Sequence, residues 1–259
     1  MEIRPILAAL TRHKLIASLL ALLVALTCAI VCNVAFVIHQ QVALVNLPSG
    51  VAENQLVTVE SVNLDRTASQ LARHRTDLAA LRMIPDVQSA AAVDALPFNG
   101  NNWTNGIATH PDASSGALAS AFNGTPGELE TLGLHLVVGR DFRPDEYIPE
   151  GSAQGFDGLE HVPAAIITRA LAQRLFPGQS ALGKSIYSYP NPIRVVGVVA
   201  HLLRPGVGTG NDNDFSVLFP MLPDTSDITY VLRTAPQDRE RVLEQAKAML
   251  YRFDVPATA

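Results

Sequence analysis

Cysteine is almost absent from this sequence of 259 residues. Both copies, Cys28 and Cys32, fall inside one apolar run, where they are small apolar side chains. The rest of the sequence therefore has no disulfide framework, no thiol nucleophile and no cysteine-based metal site. A basic stripe is also missing, and the net charge of −5 argues against a nucleic-acid-binding protein.

Sequence motifs of catalysis are missing as well. The seven histidines are scattered without a His-Glu-x-x-His zinc pattern, and no Gly-x-Ser-x-Gly nucleophile turn occurs. Two groups of acidic residues lack the spacing of a calcium-binding loop, so we expect these residues to lie in solvated loops. These groups are Asp141, Asp145, Glu146 and Glu150, and separately Asp212 and Asp214. The sequence thus predicts no catalytic, cofactor-binding or metal-binding residue, and we expect a protein that is not an enzyme.

One segment nevertheless matches the phosphate-binding P-loop pattern Gly-x-x-x-x-Gly-Lys-Ser, at residues 178–185. Such a loop leaves a strand and opens a helix whose N-terminus faces the phosphate. Here the order is reversed, because a predicted helix ends at Pro177 and a β-like run follows Lys184. We therefore interpret the segment as a helix stop and a turn. A nucleotide-binding enzyme is the least favoured of three hypotheses, and loss of ATP binding in Lys184→Ala would support it.

Only one long hydrophobic run is present, and it covers residues 15–38 without a charged residue or histidine. At about 1.5 Å per residue it can cross the roughly 30 Å hydrocarbon core of a bilayer. Arg4, Arg12 and Lys14 precede it, and the next lysine or arginine is Arg66. The positive-inside rule then predicts a cytoplasmic N-terminus (1–14), one transmembrane helix (15–38) in the cell inner membrane, and a periplasmic main domain.

Two other targeting signals fit this run less well. A cleaved signal peptide has an apolar core of only about 7–15 residues and a small-residue cleavage site. A lipoprotein would be modified at Cys28, but Leu26 and Thr27 are poor matches for the small residues expected before such a cysteine. We therefore expect a permanent anchor.

A stripe of small residues follows one face of the predicted transmembrane helix. Its members recur every four residues: Ala17, Ala21, Ala25, Ala29 and Asn33. Small side chains let another helix approach closely, and an asparagine in hydrocarbon favours an interhelical partner. The stripe predicts a helix-packing face for membrane helices that this sequence does not contain. An alanine-rich composition can also produce such spacing, and the sequence leaves both explanations open.

Beyond residue 45 the pattern alternates between strands and helices, which predicts an α+β domain over 45–259. Predicted strands cover 55–61, 87–93, 134–138, 164–168, 193–199, 217–219 and 228–233. Predicted helices begin after a cap at Asp65, at a capping box of Thr125 and Glu128, at Arg169 and near Gln237. The last strand–helix unit mirrors the β-α-β unit at the start. We therefore predict two subdomains, one formed by about 51–95 with 215–259 and a second, about 96–214, inserted into it.

Three phrases of the sequence resemble a known family. They are FNGTPGELETLGLHLVVGRDF at 122–142, LAQRLFPGQSALGK at 171–184 and VVGVV at 195–199. Together and in this order they resemble the MacB-like periplasmic core domain of FtsX/MacB-type ABC transporter permeases. The resemblance covers nearly the whole sequence. It also accounts for the P-loop match, because the family has a similar Phe-Pro-Gly and Gly-Lys turn in a domain that binds no ATP.

The resemblance implies a mechanical rather than a catalytic role. Permeases of this family pair as dimers of four-helix subunits, and a cytoplasmic ABC ATPase drives them, so the chain itself would need no cofactor. Their periplasmic domain has a porter-like subdomain with a second one inserted, and it handles substrate or a periplasmic adaptor. The implied function is that of a non-catalytic permease subunit in export, efflux or mechanotransmission. Its implied partners are membrane lipid, a second permease subunit and the ATPase.

The sequence departs from the family at its end. The family continues with three further membrane spans, whereas this sequence stops at Ala259. We therefore expect either a fragment or a degenerate permease that works through partners. The runner-up hypothesis is a stand-alone membrane-anchored periplasmic binding or signalling module, with 102–120 and 204–214 as contact loops. No residue pattern identifies the transported substrate.

Overall fold

The computed structural model describes residues 14–63, 69–100, 103–111, 116–150, 159, 161–188 and 191–254. The chain divides into two compact units, Met1–Leu47 and Pro48–Ala259. The first contains helix α1 (Lys14–Val45). The helices of the second are α2 (Gln70–Leu81), α3 (Glu128–Leu132), α4 (Arg169–Leu175) and α5 (Arg239–Asp254). Its strands are β1 (Leu56–Val62), β2 (Ser89–Val93), β3 (Thr104–Ile107), β4 (Ala117–Asn123), β5 (Leu136–Gly139), β6 (Ile148–Pro149), β7 (Ala164–Thr168), β8 (Ser185–Ile186), β9 (Ile193–Val199), β10 (Ser216–Phe219), β11 (Met221–Leu222) and β12 (Asp227–Arg233).

Helix α1 is 32 residues long and has no buried residue. Among the described residues it is the one helix long and apolar enough to cross a membrane. It continues seven residues beyond the predicted end at residue 38, because no glycine or proline interrupts the chain before Pro48. All five members of the small-residue stripe lie in α1, and their role in helix packing stays a prediction.

Three strands from the two ends of the second unit form one sheet in the order β1-β12-β2, with β12 antiparallel to both neighbours. β1 and β2 are therefore parallel, joined through α2 and separated by β12, which is a split β-α-β arrangement. Alternate side chains of β12 face opposite ways. Ile228, Tyr230 and Leu232 pack against α2 and α5, whereas Val231 packs on the other side. The buried Tyr230 hydroxyl donates to the Asp77 carboxylate of α2 at 2.6 Å.

A seven-stranded sheet has the order β3-β4-β10-β7-β9-β5, and β8 also pairs with β9. One edge of β9 pairs with β7, and its other edge is shared by β8 and β5, which pair with opposite ends of the strand. Ile166 and Leu218 pack in one core with Val231 of the small sheet. Ile167 and Val217 point to the opposite side, where they pack with residues of α4. The two sheets of the second unit therefore share a core.

The predicted fold class is confirmed, since an N-terminal apolar helix precedes a domain of mixed sheets and helices. The boundaries of the two subdomains stay a prediction. Strands from both ends do share the small sheet. However, β10, which falls in the predicted range 215–259, pairs with β4 and β7 of the seven-stranded sheet.

The start of α2 differs from the prediction. The helix begins at Gln70, and the Ser69 side chain caps it by accepting a hydrogen bond from the Ala72 N–H at 3.4 Å. Asp65, the predicted cap, lies outside the described residues. Serine and aspartate are both good N-caps, so the sequence did not distinguish the two positions.

The predicted capping box of Thr125 and Glu128 is wrong. Thr125 accepts the Ala92 N–H at its hydroxyl, and its own N–H donates to the Ala92 carbonyl, each at 2.9 Å. Strand β2 therefore occupies the two groups that a capping box would use. Gly127, at a φ of 94°, precedes α3 instead.

Candidate functional site

The P-loop-like turn at residues 178–185 has backbone N–H groups that are already bonded within the protein. The Gly183 N–H donates to the Val195 carbonyl at 2.8 Å, and the Lys184 N–H donates to the Ala181 carbonyl at 3.1 Å. A P-loop instead leaves these groups open, so that they can surround a phosphate. The backbone of the turn is thus used for folding.

The lysine of this turn is engaged as well. Lys184 Nζ bonds the Gln179 side-chain carbonyl and lies 4.7 Å from the centre of the Phe176 ring. Strand β8 follows the turn, where a P-loop would continue into a helix. The interpretation as a helix stop and a turn is therefore confirmed.

The start of the second unit, residues 48–55, is bonded to three separate parts of that unit. Hydrogen bonds of 2.8–2.9 Å join Ser49 to Leu203, Ala52 to Leu132, and Gln55 to Thr234. Gly50 lies directly against the loop after β9, because a Cβ at this residue would be 2.4 Å from the His201 carbonyl oxygen. A pull on this segment would therefore act on the loop after β9, on α3 and on the end of β12.

A cleft of about 420 Å³ opens at the edge of the small sheet where β1 and β2 end and β12 begins. Four carboxylates line it: Glu60, Asp94, Glu150 and Asp227. Trp103, the one tryptophan of the sequence, lines it too and is 58% exposed. No lysine, arginine or histidine is among its described lining residues. This site is termed the acidic cleft.

Two carboxyl groups of the acidic cleft, those of Asp94 and Glu150, hold protons more tightly than usual. Burial raises the pKa of Asp94 to about 7, and the charge of Glu150 adds to the rise. Two Asn123 donors, its backbone N–H and its side-chain amide, each lie 2.8 Å from the Asp94 carboxylate and oppose the rise. Burial also raises the pKa of Glu150 and, well above its ordinary value, that of the neighbouring Glu128. Protonation here thus occurs closer to neutral pH.

A second cleft, of about 490 Å³, lies along the outer edge of β9. It opens at the gap between the two strands that share this edge, with Gly139 at the end of β5 on one side and Gly183 before β8 on the other. Its charged lining residues are Arg140, Arg143, Arg194 and Glu146, and its apolar ones are Pro163, Leu182, Val195 and Val196. This site is termed the basic cleft.

Arg140 and Glu146 form a two-point ion pair in the basic cleft. Arg140 Nη2 and Nη1 lie 2.5 and 2.7 Å from the two Glu146 oxygens, and the Arg143 N–H donates to the same carboxylate at 2.8 Å. The bonds from Arg140 lower the pKa of Glu146. Arg143 and Arg194 are exposed and make no ion pair within the described part of the chain. Arg143 still interacts with the charge of Glu146 and helps to lower its pKa, and the three arginines outnumber the one carboxylate of the described lining.

The predicted contact loop 204–214 is held by polar contacts of two of its aspartates. Arg204 Nη1 lies 2.6 Å from Asp212 Oδ2, and His201 Nδ1 lies 3.0 Å from Asp214 Oδ2. The other predicted contact loop, 102–120, contains β3 and the start of β4, while 102 and 112–115 lie outside the described residues.

The acidic loop residues predicted from the sequence do not form a common site. Glu146 lines the basic cleft, Glu150 lines the acidic cleft, and Asp212 and Asp214 belong to the loop after β9. Across the described ranges, no group of three or more His, Cys, Asp or Glu side chains could hold a metal ion.

The model of the MacB-like periplasmic core domain family matches residues 18–249 of the chain. The chain belongs to this family. The MacB-like domain is part of ABC transporter permeases, a family of transporters and not of enzymes. A comparison with curated proteins finds no match.

Two solved structures illustrate the similarity of the MacB-like domain. The extracellular domain of the noncanonic ABC-type transporter YknZ from Gram-positive bacteria is 16% identical, with a TM-score of 0.47 over 77% of this chain and 96% of that one. The periplasmic region of MacB from Actinobacillus actinomycetemcomitans is 14% identical, with a TM-score of 0.48 over 82% of this chain and 89% of that one.

Reasoning from the sequence missed both clefts of this MacB-like domain. For the acidic cleft a signal existed, because Glu60, Asp94 and Asp227 all lie near the ends of strands in the small sheet. No local signal marks the basic cleft. Arg143 and Arg194 are far apart in the chain, and only the pairing of β9 with both β5 and β8 brings them to one cavity.

Proposed function

We propose that this chain is a non-catalytic permease subunit of an ABC-type export or mechanotransmission system. Helix α1 lies in the cell inner membrane with its N-terminus in the cytoplasm, and the MacB-like domain lies in the periplasm. A partner ATPase in the cytoplasm binds and hydrolyses ATP. The resulting helix motion moves the periplasmic domain against a substrate or a periplasmic partner. Membership of the permease family is the observation that carries this proposal.

The bonds at residues 48–55 supply a mechanical route for such coupling. Helix α1 ends at Val45, and the bonded segment begins within a few residues of that end. Because Gly50 lies against the His201 carbonyl, the segment has little freedom to move independently of the loop after β9. A displacement of residues 48–55 would therefore be passed on to the rest of the second unit.

Purification from native membranes tests the proposed partnership. A tagged full chain, extracted in mild detergent, should co-purify with an ABC ATPase and with further membrane-spanning permease subunits, and the complex should hydrolyse ATP. Recovery of the chain without any ATPase would overturn the proposal and favour the stand-alone binding or signalling module. A reporter enzyme joined after Ala259 should be active in the periplasm and silent in the cytosol.

Hydrogen exchange on the purified complex tests the coupling itself. The backbone N–H groups of Ala52 and Leu203 donate two of the hydrogen bonds that hold residues 48–55, at 2.8 and 2.9 Å. If this segment transmits force, their exchange should differ between the nucleotide-free and the vanadate-trapped complex. Identical exchange in both states would rule out this route.

The small-residue stripe of α1 can be tested in the same preparation. Ala21→Leu with Ala25→Leu should reduce co-purification with other membrane subunits, because larger side chains keep a second helix away. Thr27→Leu is the matched control, since residue 27 lies about 160° around the helix from Ala25 and about 120° from Ala21. Equal recovery with all variants would count against a packing face on this side.

A further inference from the structure

We propose that the basic cleft binds a phosphate monoester group, carried either by a small soluble molecule or by a lipid headgroup. This site is not the P-loop-like turn, whose backbone donors and lysine are engaged within the protein. The proposal does not depend on the proposed function, because it rests on the charges and shape of the cleft alone.

The charges of the basic cleft match this group. Three arginines line the cleft with a single carboxylate, that of Glu146, which Arg140 holds through two short bonds. A phosphate monoester carries about −1.5 to −2 charges at neutral pH, whereas a carboxylate carries only one. Guanidinium groups also present pairs of N–H donors that fit phosphate oxygens. The described lining of this cleft, with three arginines and one carboxylate, is therefore suited to a dianion.

The position of Arg194 keeps its guanidinium accessible. Residues alternate along β9, so Ile193 and Val195 are buried and Arg194 points outward. Arg194 is opposite Ser185 of β8, and Gly183 lies near its guanidinium, because a Cβ at Gly183 would be 4.0 Å from Arg194 Nη2. A glycine at this point leaves room beside the guanidinium for a ligand.

The other wall of the cleft suits the carbon skeleton of an ester. Leu182, which is 38% exposed, lies beside Pro163 and Val196 in the lining. An inorganic ion would use only the charged side, whereas an organic phosphate would contact both. With about 490 Å³, the cleft has the size of ordinary small-ligand sites.

Calorimetry on the full chain in an uncharged maltoside detergent tests the proposal with two probes. Glycerol 3-phosphate presents the monoester without acyl chains, and dihexanoyl phosphatidic acid presents it on a short-chain lipid. The double variant Arg143→Ala, Arg194→Ala should weaken binding by at least about tenfold, since a hydrogen bond to a charged group contributes about that factor. Binding should also weaken as sodium chloride is added.

A matched double variant controls for the change in net charge. Arg75→Ala with Arg174→Ala removes two exposed arginines outside the cleft and should leave the affinity unchanged. Binding of both probes would show that a soluble phosphate monoester is a sufficient ligand. Binding of the lipid alone would show that the ligand is a lipid headgroup. Absence of binding by both probes overturns the proposal, as does an equal loss of affinity in the control variant.

A second variant keeps the test decisive if the double arginine variant does not fold. Leu182→Glu places a carboxylate in the cleft at an exposed residue and should abolish phosphate binding by repulsion. Leu118→Glu, at a residue of β4 that is 63% exposed, is its control and should bind as the wild type does. Unchanged binding in Leu182→Glu would overturn the assignment to this cleft.

Discussion

The acidic and basic clefts have similar volumes, about 420 and 490 Å³, but opposite charge. The acidic cleft is lined by four carboxylates and by no described basic residue. The basic cleft has three arginines and one glutamate. One domain of this permease family therefore carries two clefts whose described linings have opposite charge.

The two clefts also handle repulsion between like charges differently. A carboxylate can take up a proton, and burial together with the charge of Glu150 raises the pKa of Asp94 to about 7. An arginine cannot lose its proton in this way. Repulsion in the basic cleft is instead reduced by the ion pair of Arg140 and Glu146. The charge of the acidic cleft should therefore vary near neutral pH, whereas that of the basic cleft should stay constant.

Gly139 offers the strongest way to disrupt one cleft and spare the other. Its φ is 91°, and a Cβ there would lie 2.3 Å from the Val196 carbonyl oxygen. Gly139→Ala should lower the free energy of unfolding by about 4 kcal/mol, because backbone strain adds to overpacking. Gly178→Ala is the control, with a φ of 70° and no atom within 4 Å, and should cost about 1 kcal/mol. Chemical denaturation of the full chain measures both, and equal losses would refute the close-contact argument.

The acidic cleft should make stability fall as the pH rises. Folding raises the pKa of Asp94 from 3.8 to about 7, so the folded chain holds a proton that the unfolded chain releases. This contribution is complete below about pH 4 and is lost as the pH rises through about 7. The shift corresponds to at most about 4 kcal/mol, and we expect about 2 kcal/mol because the side chain borders an open cleft.

Unfolding free energies between pH 5 and 8 measure this effect. Asp94→Asn should flatten the profile over that range. Asn123→Ala removes one donor to the carboxylate and should move the midpoint to higher pH. A profile of unchanged slope in Asp94→Asn would show that another group is responsible.

The ion pair of the basic cleft should have a smaller effect with the opposite dependence on pH. Glu146 has a lowered pKa, so its contribution is present above about pH 4.5 and is lost as the pH falls. Glu146→Gln should lower the free energy of unfolding by about 1 kcal/mol at pH 7 and should leave it unchanged in acid. Glu244→Gln breaks the exposed pair with Lys247 and should cost less than about 0.5 kcal/mol. Equal costs at pH 7 would contradict the two-point geometry.

Strand positions could be predicted from the sequence because apolar runs and alternation are local signals. The predicted strand at 193–199 coincides with β9, and the one at 164–168 coincides with β7. Thr125 shows the limit of such signals. Its sequence context fits a helix cap equally well, and only the distant partner Ala92 decided its role.

The clefts could not be predicted because each depends on pairing between distant strands. Glu60 and Asp227 meet through the antiparallel register of β1 with β12, in which Glu60 is opposite Thr229. Arg194 meets Arg143 because β9 has two partners along one edge. The composition gives a net charge of −5 but does not show that the charged residues separate into regions of opposite sign.

The smallest expected effect that distinguishes the two clefts is a change in the fluorescence of Trp103. This residue is the one tryptophan in the sequence and lines the acidic cleft. An exposed indole responds to a change of charge beside it, so its emission should change with a midpoint near pH 7. Asp94→Asn should remove this titration, and Glu146→Gln should leave it intact. Glycerol 3-phosphate, bound at the basic cleft, should not alter the emission at constant pH. A response of Trp103 to that ligand would show that the two clefts are coupled rather than independent.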